Sequence, residues 1–289
     1  MNVIPKVSQL SGRVWRFLGC NPGHMTLQGT NLYLVGTGPS RILVDAGQDG
    51  FPEYIETLST FLKDHKISLE RIIVTHWHRD HVGALDDMKD SIFSKYQSPP
   101  LIHKFKRIEK PEHDVIPDGY TRINLTDNEK IKTEGATLEV LFTPGHTSDH
   151  ASLYLHEEKA VFSGDNILGE GTSTFEDLHD YMKSLERILE TDPTIIYPGH
   201  GPVVEQPKDK IKYYLKHRRE REQQIFDVIN TTLKPITSME IVSSVYTDTP
   251  KQLWRAAELN VIHHLEKLIK EKRVRQKGDK YFLADEGKL

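Results

Sequence analysis

Residues 75–81 read THWHRDH, three histidines and an aspartate in seven positions, directly after the apolar run RIIV. A short apolar run that ends in metal-ligating residue types reads as a buried strand delivering its following loop to a site. The arrangement recurs along the chain. TLEVLFTPG is followed by His146, AVFSG by Asp165 and TIIYPG by His200, in each case straight after a glycine. With His76, His78, Asp80 and His81 these make seven candidate ligands in four loops. A lone histidine is more often a surface or satisfied core residue than a ligand. Four ligating groups in one heptapeptide, joined by three at other strand ends, are not explained that way.

The ligand-bearing runs belong to a wider pattern. NLYLV, RILVDAG and SLYLHE are also strand-like, and helical stretches lie near 52–64 and 175–190. Such alternation predicts an α/β fold with helices outside the sheets. The segment 86–120, rich in Pro, Lys and Asp, reads as irregular surface structure. After YPGHGPVV the pattern changes to long amphipathic helices. The first carries apolar positions at Ile211, Tyr214, Leu215, Ile225, Val228 and Ile229. Thr237 with Glu240 forms a capping box for a second helix, and Thr249, Pro250 and Gln252 begin a third through about Lys272. RVRQKGDKYFLA then reads as a hairpin. Three helices and a hairpin are the order of a winged-helix module, so two domains are expected, 1–205 and 206–289.

Charge divides the chain at the same place. Residues 1–205 hold 20 basic and 30 acidic side chains, residues 206–289 hold 18 and 12. A basic second domain attracts a polyanion, or simply solvates its helices. The first 44 residues contain no Asp or Glu but carry Lys6, Arg13, Arg16 and Arg41, a composition shared with mitochondrial presequences. The strand patterns within them indicate that any such signal is short and overlaps the fold. No apolar run is long enough to cross a bilayer, and Cys20, the single cysteine, excludes any internal disulfide framework and any zinc site built on thiolates.

Imidazole and carboxylate donors suit zinc first, with manganese or iron as alternatives. Seven donors are too many for one tetrahedral ion that also keeps a position for water, so two ions are implied. A pair sharing a carboxylate can hold a hydroxide between them as the nucleophile. No GxSxG elbow and no Walker loop is present to supply another chemistry.

THWHRDH with TPGHTSDH, FSGD and YPGHG resembles the metallo-β-lactamase superfamily. The resemblance implies an αββα sandwich over roughly 1–205, with a small winged-helix-like domain after it. It assigns His76, His78 and His146 to one zinc ion, Asp80, His81 and His200 to a second, and Asp165 to the bridge. Asp80 is also the candidate proton acceptor. Asp45 in ILVDAG matches a position that orients a ligand histidine, or is a turn aspartate. His150 either backs His146 or is simply buried. The loop CNPGHMTLQGTN suits the mouth of a site.

Along nearly the whole chain, LGCNPGHMTLQGTNLYLVGTG, IKTEGATL, SGDNILGEGT, DYMKSL and REQQI look like the β-lactamase-like protein 2 group. That likeness implies a zinc-dependent endoribonuclease that hydrolyses phosphodiester bonds of single-stranded RNA through a metal-bridging hydroxide. It implies a mitochondrial matrix location, with the cytoplasm as the alternative, and single-stranded RNA as the partner; no protein partner is implied, and the lack of a long apolar run speaks against a membrane. Two other readings are carried: a glyoxalase-II-like thioester hydrolase or other small-molecule metallohydrolase, and a non-catalytic RNA-binding or scaffold protein.

Overall fold

A computed structural model describes residues 3–93, 98–232 and 234–284. Thus Met1 and Asn2 of the presequence-like segment, 94–97 of the stretch read as irregular, and the last five residues of the second domain lie outside the described residues.

Seven strands form the first sheet in sequential order: β1 Val7–Gln9, β2 Val14–Leu18, β3 Asn31–Val35, β4 Ser40–Val44, β5 Ser68–Ile73, β6 Leu101–Lys104 and β7 Thr121–Asn124. Pairing is antiparallel from β1 to β4 and parallel from β4 to β7. A second sheet runs β12-β11-β10-β9-β8, built from β8 Lys130–Thr133, β9 Ala136–Phe142, β10 Ala151–Leu155, β11 Ala160–Gly164 and β12 Ile195–Pro198.

The strands read as continuous apolar runs because both faces of each sheet are covered. In β3, Leu32 and Leu34 turn outward to Tyr54, Leu58 and Leu62 of α1 (Pro52–Asp64). Tyr33 and Val35 turn inward to meet Val140, Leu153 and Phe162 of the second sheet. The outer face of that sheet, with Val161 and Ile196, is covered by Tyr181, Leu185 and Ile188. These three belong to α4, Leu178–Glu190. Ile211 and Leu215, near the start of a longer helix, α5 (Pro207–Thr232), complete that cover. Helix, sheet, sheet, helix is the expected αββα sandwich.

The 86–120 stretch departs from its irregular reading. Short helical turns α2 (Arg79–Val82) and α3 (Leu85–Met88) lead into a π turn at Lys89–Phe93, and β6 is an interior strand. Its sequence LIHK hides this, because His103 and Lys104 are buried polar residues. Lys104 Nζ is fully enclosed and bonded to Asp149 at 2.5 Å and Asp114 at 2.8 Å, which compensates the buried charge.

Beyond the sandwich, α5 continues into a small domain. Its second half packs Ile225 and Ile229 against α6 (Ser238–Val245), α7 (Trp254–Lys270) and a three-stranded sheet of β13 (Ile236–Thr237), β14 (Val274–Lys277) and β15 (Lys280–Leu283). Both halves of the Thr237–Glu240 capping box are formed. The third helix starts later than its sequence indicates. Lys251–Leu253 is a 3-10 turn, neither it nor the helix after it has a side-chain cap, and the Thr249 carbonyl accepts from the Trp254 indole. The second domain is therefore a winged helix. No helix among the described residues is long and apolar enough to cross a membrane.

Candidate metal centre

Parallel pairing of β4 with β5 and of β11 with β12 brings their C-terminal ends to one edge of the sandwich. Backbone bonds across the two sheets close that edge: Ala151 N to Thr75 O at 2.8 Å and Asn31 N to Gly199 O at 2.7 Å. The heptapeptide changes conformation halfway. His76 and His78 follow the extended end of β5, whereas Asp80 and His81 lie on the turn α2, which His78 begins. One loop is thereby aimed in two directions.

His76, His78, His146 and Asp165 form one cluster, Asp80, His81 and His200 another. In the first, His78 Nδ1 is 2.9 Å from His76 Nε2 and 3.1 Å from His146 Nε2. In the second, Asp80 Oδ2 is 3.2 Å from both His81 Nε2 and His200 Nε2. Asp165 faces both: Oδ1 lies 3.4 Å from His81 Nε2, and Oδ2 lies 3.3 Å from His200 Nε2 and 3.7 Å from His146 Nε2.

The surroundings fix the imidazole tautomers. His81 Nδ1 donates to Asp45 Oδ2 at 2.7 Å, and His146 Nδ1 to the Thr174 carbonyl at 2.8 Å. Thr75 Oγ1 donates to Asp45 Oδ2 at 3.0 Å and so accepts from His76 Nδ1 at 3.0 Å. Three rings thus turn Nε2 inward, the arrangement by which an outer partner orients a ligand histidine. Asp45 is more than a turn residue: it holds His81 and the Thr75 backbone together. His150 is fully buried and accepts from the Asp165 backbone N–H at 3.1 Å, which places it behind Asp165 rather than in hydrogen-bond contact with His146.

Electrostatics separate the two clusters. Burial and neighbouring imidazoles hold His76 well below the usual histidine range, and the same causes push His78 down to about 3. Burial also opposes charge on His81 and His200, but carboxylates win. Asp80, Asp45 and Asp165 raise His81 well above its ordinary value, and Asp165 and Asp80 raise His200 to about 9. Burial favours the neutral forms of Asp80 and Asp165, yet the adjacent histidines keep both below the ordinary carboxylate range.

The donors fit divalent ions. A tetrahedral ion with bonds of about 2.0–2.2 Å spaces its ligand atoms about 3.3 Å apart, close to the separations in both clusters. His81 Nε2 and Asp165 Oδ1 are buried without hydrogen-bond partners, although both point into the centre. Orphaned polar atoms of this kind mark a place where a cation would complete the coordination. A third acidic group, Asp177, His179 and Asp180, is already used: Asp177 caps α4 and pairs with Lys270.

A cavity of about 310 Å³ opens above the centre. His78, Asp80, His146, Asp165 and His200 form its floor; His24, Met25, Leu27, Leu168 and residues 170–174 line its sides. The loop expected at the mouth is there, and it does more. Its Thr30 donates to Asp80 Oδ2 at 3.0 Å while Asn21 grips Thr30 from both sides. Thr30 was detectable only as part of that loop. The Thr174 carbonyl leaves no side-chain signature at all.

Residues 25–200 match the metallo-beta-lactamase superfamily, and residues 237–282 match the beta-lactamase associated winged helix domain. A Drosophila melanogaster protein named beta-lactamase-like protein 2 homolog is 47% identical over 279 residues, covering 95% of this chain and 94% of its own. An Aspergillus fumigatus protein named atrochrysone carboxyl ACP thioesterase is 39% identical over 77% of this chain and 66% of its own. Among solved structures, a beta-lactamase domain protein from Burkholderia ambifaria shares the fold with a TM-score of 0.77 at 17% identity, covering 96% of this chain and 93% of its own. Sandwich, strand-end histidines and aspartates, and whole-length similarity agree: the chain belongs to the metallo-β-lactamase superfamily, with the winged helix that accompanies its β-lactamase-like branch.

Proposed function

We propose that the chain is a zinc-dependent endoribonuclease that hydrolyses phosphodiester bonds in single-stranded RNA. His76, His78 and His146 would hold one ion, and Asp80, His81 and His200 the other, with Asp165 between them. When bound, such a pair supplies Lewis acidity and brings the ionisation of water near neutral pH. The chain's own residues do the rest. Asp80, kept ionised by His81 and His200 and held by Thr30, is placed to accept a proton at Oδ2. Asp45 and the Thr174 carbonyl keep the imidazoles oriented, and the walls at Met25, Leu27 and Leu168 give the cavity apolar sides.

Asp165 facing both clusters is the observation that carries the hydrolase reading. The choice of RNA is supported by similarity over nearly the full length, winged helix included, to proteins of the β-lactamase-like protein 2 type, and by the excess of basic over acidic side chains in 206–289. A thioester hydrolase is the second reading, favoured by the 39% identity to a protein named as a thioesterase. Purified protein incubated with single-stranded RNA, duplex RNA, single-stranded DNA and an acyl-thioester panel, beside Asp165→Ala, decides between them. Metal-dependent internal cleavage of single-stranded RNA, lost in Asp165→Ala, is expected. Intact RNA with rapid thioester turnover would overturn the proposal.

A further inference from the structure

We infer that the solvent face of α5 beside the cavity is a platform for single-stranded nucleic acid, with Tyr213 and His217 stacking on bases and Lys210 and Arg221 holding the backbone. The inference rests on the ribonuclease reading and adds the surface along which the substrate would leave the site.

The platform begins at the cavity rim. Gly171 lines the cavity, and its carbonyl accepts from Lys210 Nζ at 3.2 Å and from the Tyr214 hydroxyl at 2.8 Å. Positions 210, 213, 217 and 221 recur at helical spacing on one face. Over eleven residues they reach about 16 Å along the axis, the span of a few nucleotides. At their far end the Arg221 guanidinium lies 4.1 Å above the Tyr246 ring, at the end of α6 in the winged helix.

Two features separate this stripe from an ordinary solvated face. The first is aromatic. Tyr213 is 56% exposed and lies near-parallel to His217, their planes 28° apart and centroids 6.2 Å apart. Exposed rings beside cations are the means by which unpaired bases are held without sequence preference. The second is the state of the charges. Elsewhere on α5, Lys208, Lys216 and Arg219 are paired with Asp192, Glu220 and Glu186, whereas Lys212 on the opposite side makes no ion pair with a described residue. On the stripe, neither Lys210 nor Arg221 makes an ion pair with a described residue. Cations without a carboxylate partner, flanking two exposed rings, fit a polyanion with flat bases. An acidic protein would use the cations and leave the rings idle, and a duplex would keep its bases from them.

The test uses the full chain with Tyr213→Ala/His217→Ala, Tyr213→Phe and Lys210→Ala/Arg221→Ala, assayed on single-stranded RNA oligomers of about 4 to 16 nucleotides. The double ring variant should raise KM on the longer oligomers by about tenfold or more, with kcat retained. Tyr213→Phe keeps the ring and should behave as the parent. The cation variant should flatten the salt dependence of KM, with a slope smaller by roughly one to two. Unchanged KM at every length in the double ring variant, with RNA still cleaved, overturns the platform and leaves the ribonuclease reading standing. Failure of the parent protein to cleave RNA removes that reading and the platform with it. If only the cation variant matters, and only for thioesters carried on an acidic protein, the face is a protein dock and the platform is wrong.

Discussion

Asp45 Oδ2 accepts the Nδ1–H of His81 at 2.7 Å, with both side chains nearly shut off from solvent. The carboxylate fixes the imidazole so that Nε2 faces Asp80 and Asp165. Asp45 sits at φ 63°, a left-handed conformation that Asn also tolerates. Asp45→Asn should therefore keep the fold while removing the charge behind His81. Losing such an outer partner costs about 10- to 100-fold in metal affinity. Competition titration with a chelating dye, beside circular dichroism, should find that loss at one of the two ions and unchanged secondary structure.

Gly199 lies where a side chain would strike Asp165. A Cβ there would come 2.3 Å from Asp165 Oδ1 and 3.1 Å from the Gly164 backbone. The carboxylate is the softer obstacle, so Gly199→Ala should turn Asp165 away from His81. Activity should fall by about 100-fold or more, the scale on which misplaced catalytic groups act, and the metal content should drop. A variant with full activity would show that the orientation of Asp165 is unimportant.

The opposed pKa shifts predict an optimum of stability for the protein freed of metal. His200 is raised to about 9, so the stability from its protonated form is complete below the unfolded value near 6.5 and lost as pH rises through about 9. His81 acts in the same direction. His76 and His78 are depressed, so the unfolded chain takes up protons there first, and stability falls as pH drops below about 6.5. Melting temperature measured in chelator from pH 5 to about 9.5 should peak near 6.5. Saturating zinc should remove the alkaline decline.

The capping box gives a prediction for the winged helix alone. Thr237 accepts from the Glu240 backbone, and Glu240 accepts from that of Thr237. Thr237→Ala should cost about 1 kcal/mol. Urea denaturation followed by tryptophan fluorescence, to which Trp254 contributes from that domain beside Trp15 and Trp77 of the sandwich, should register it as a lower midpoint with an unchanged slope.

Much of this architecture was legible because burial on both faces writes a strand as an apolar run. β3, β4, β5, β11 and β12 stand out for that reason, and the ends of β5, β9, β11 and β12 carry the residues that meet at the centre. β6 does not show in the sequence because its buried charge is neutralised by Asp114, ten residues on, and by Asp149, 45 residues on. A pairing over that distance leaves no local pattern. The role of Thr174 was hidden for another reason: its contact is through the backbone carbonyl, which every residue possesses. The third helix begins at Trp254 rather than after Thr249 because the first turn, Lys251–Leu253, closes as a 3-10 turn, which the sequence does not distinguish from an α-helical one. Tyr213 and Arg221 could be found only once the fold had set α5 beside the cavity.

Metal stoichiometry tests the two-cluster account most directly. Plasma mass spectrometry on gel-filtered parent protein, on His200→Ala and on Asp165→Ala should find about two zinc ions per chain in the parent, the count that paired catalytic sites hold. His200→Ala should retain about one. Asp165→Ala should hold both more weakly, since its carboxylate faces both clusters. A parent protein that binds a single ion under saturating zinc, with His200→Ala indistinguishable from it, would contradict the account.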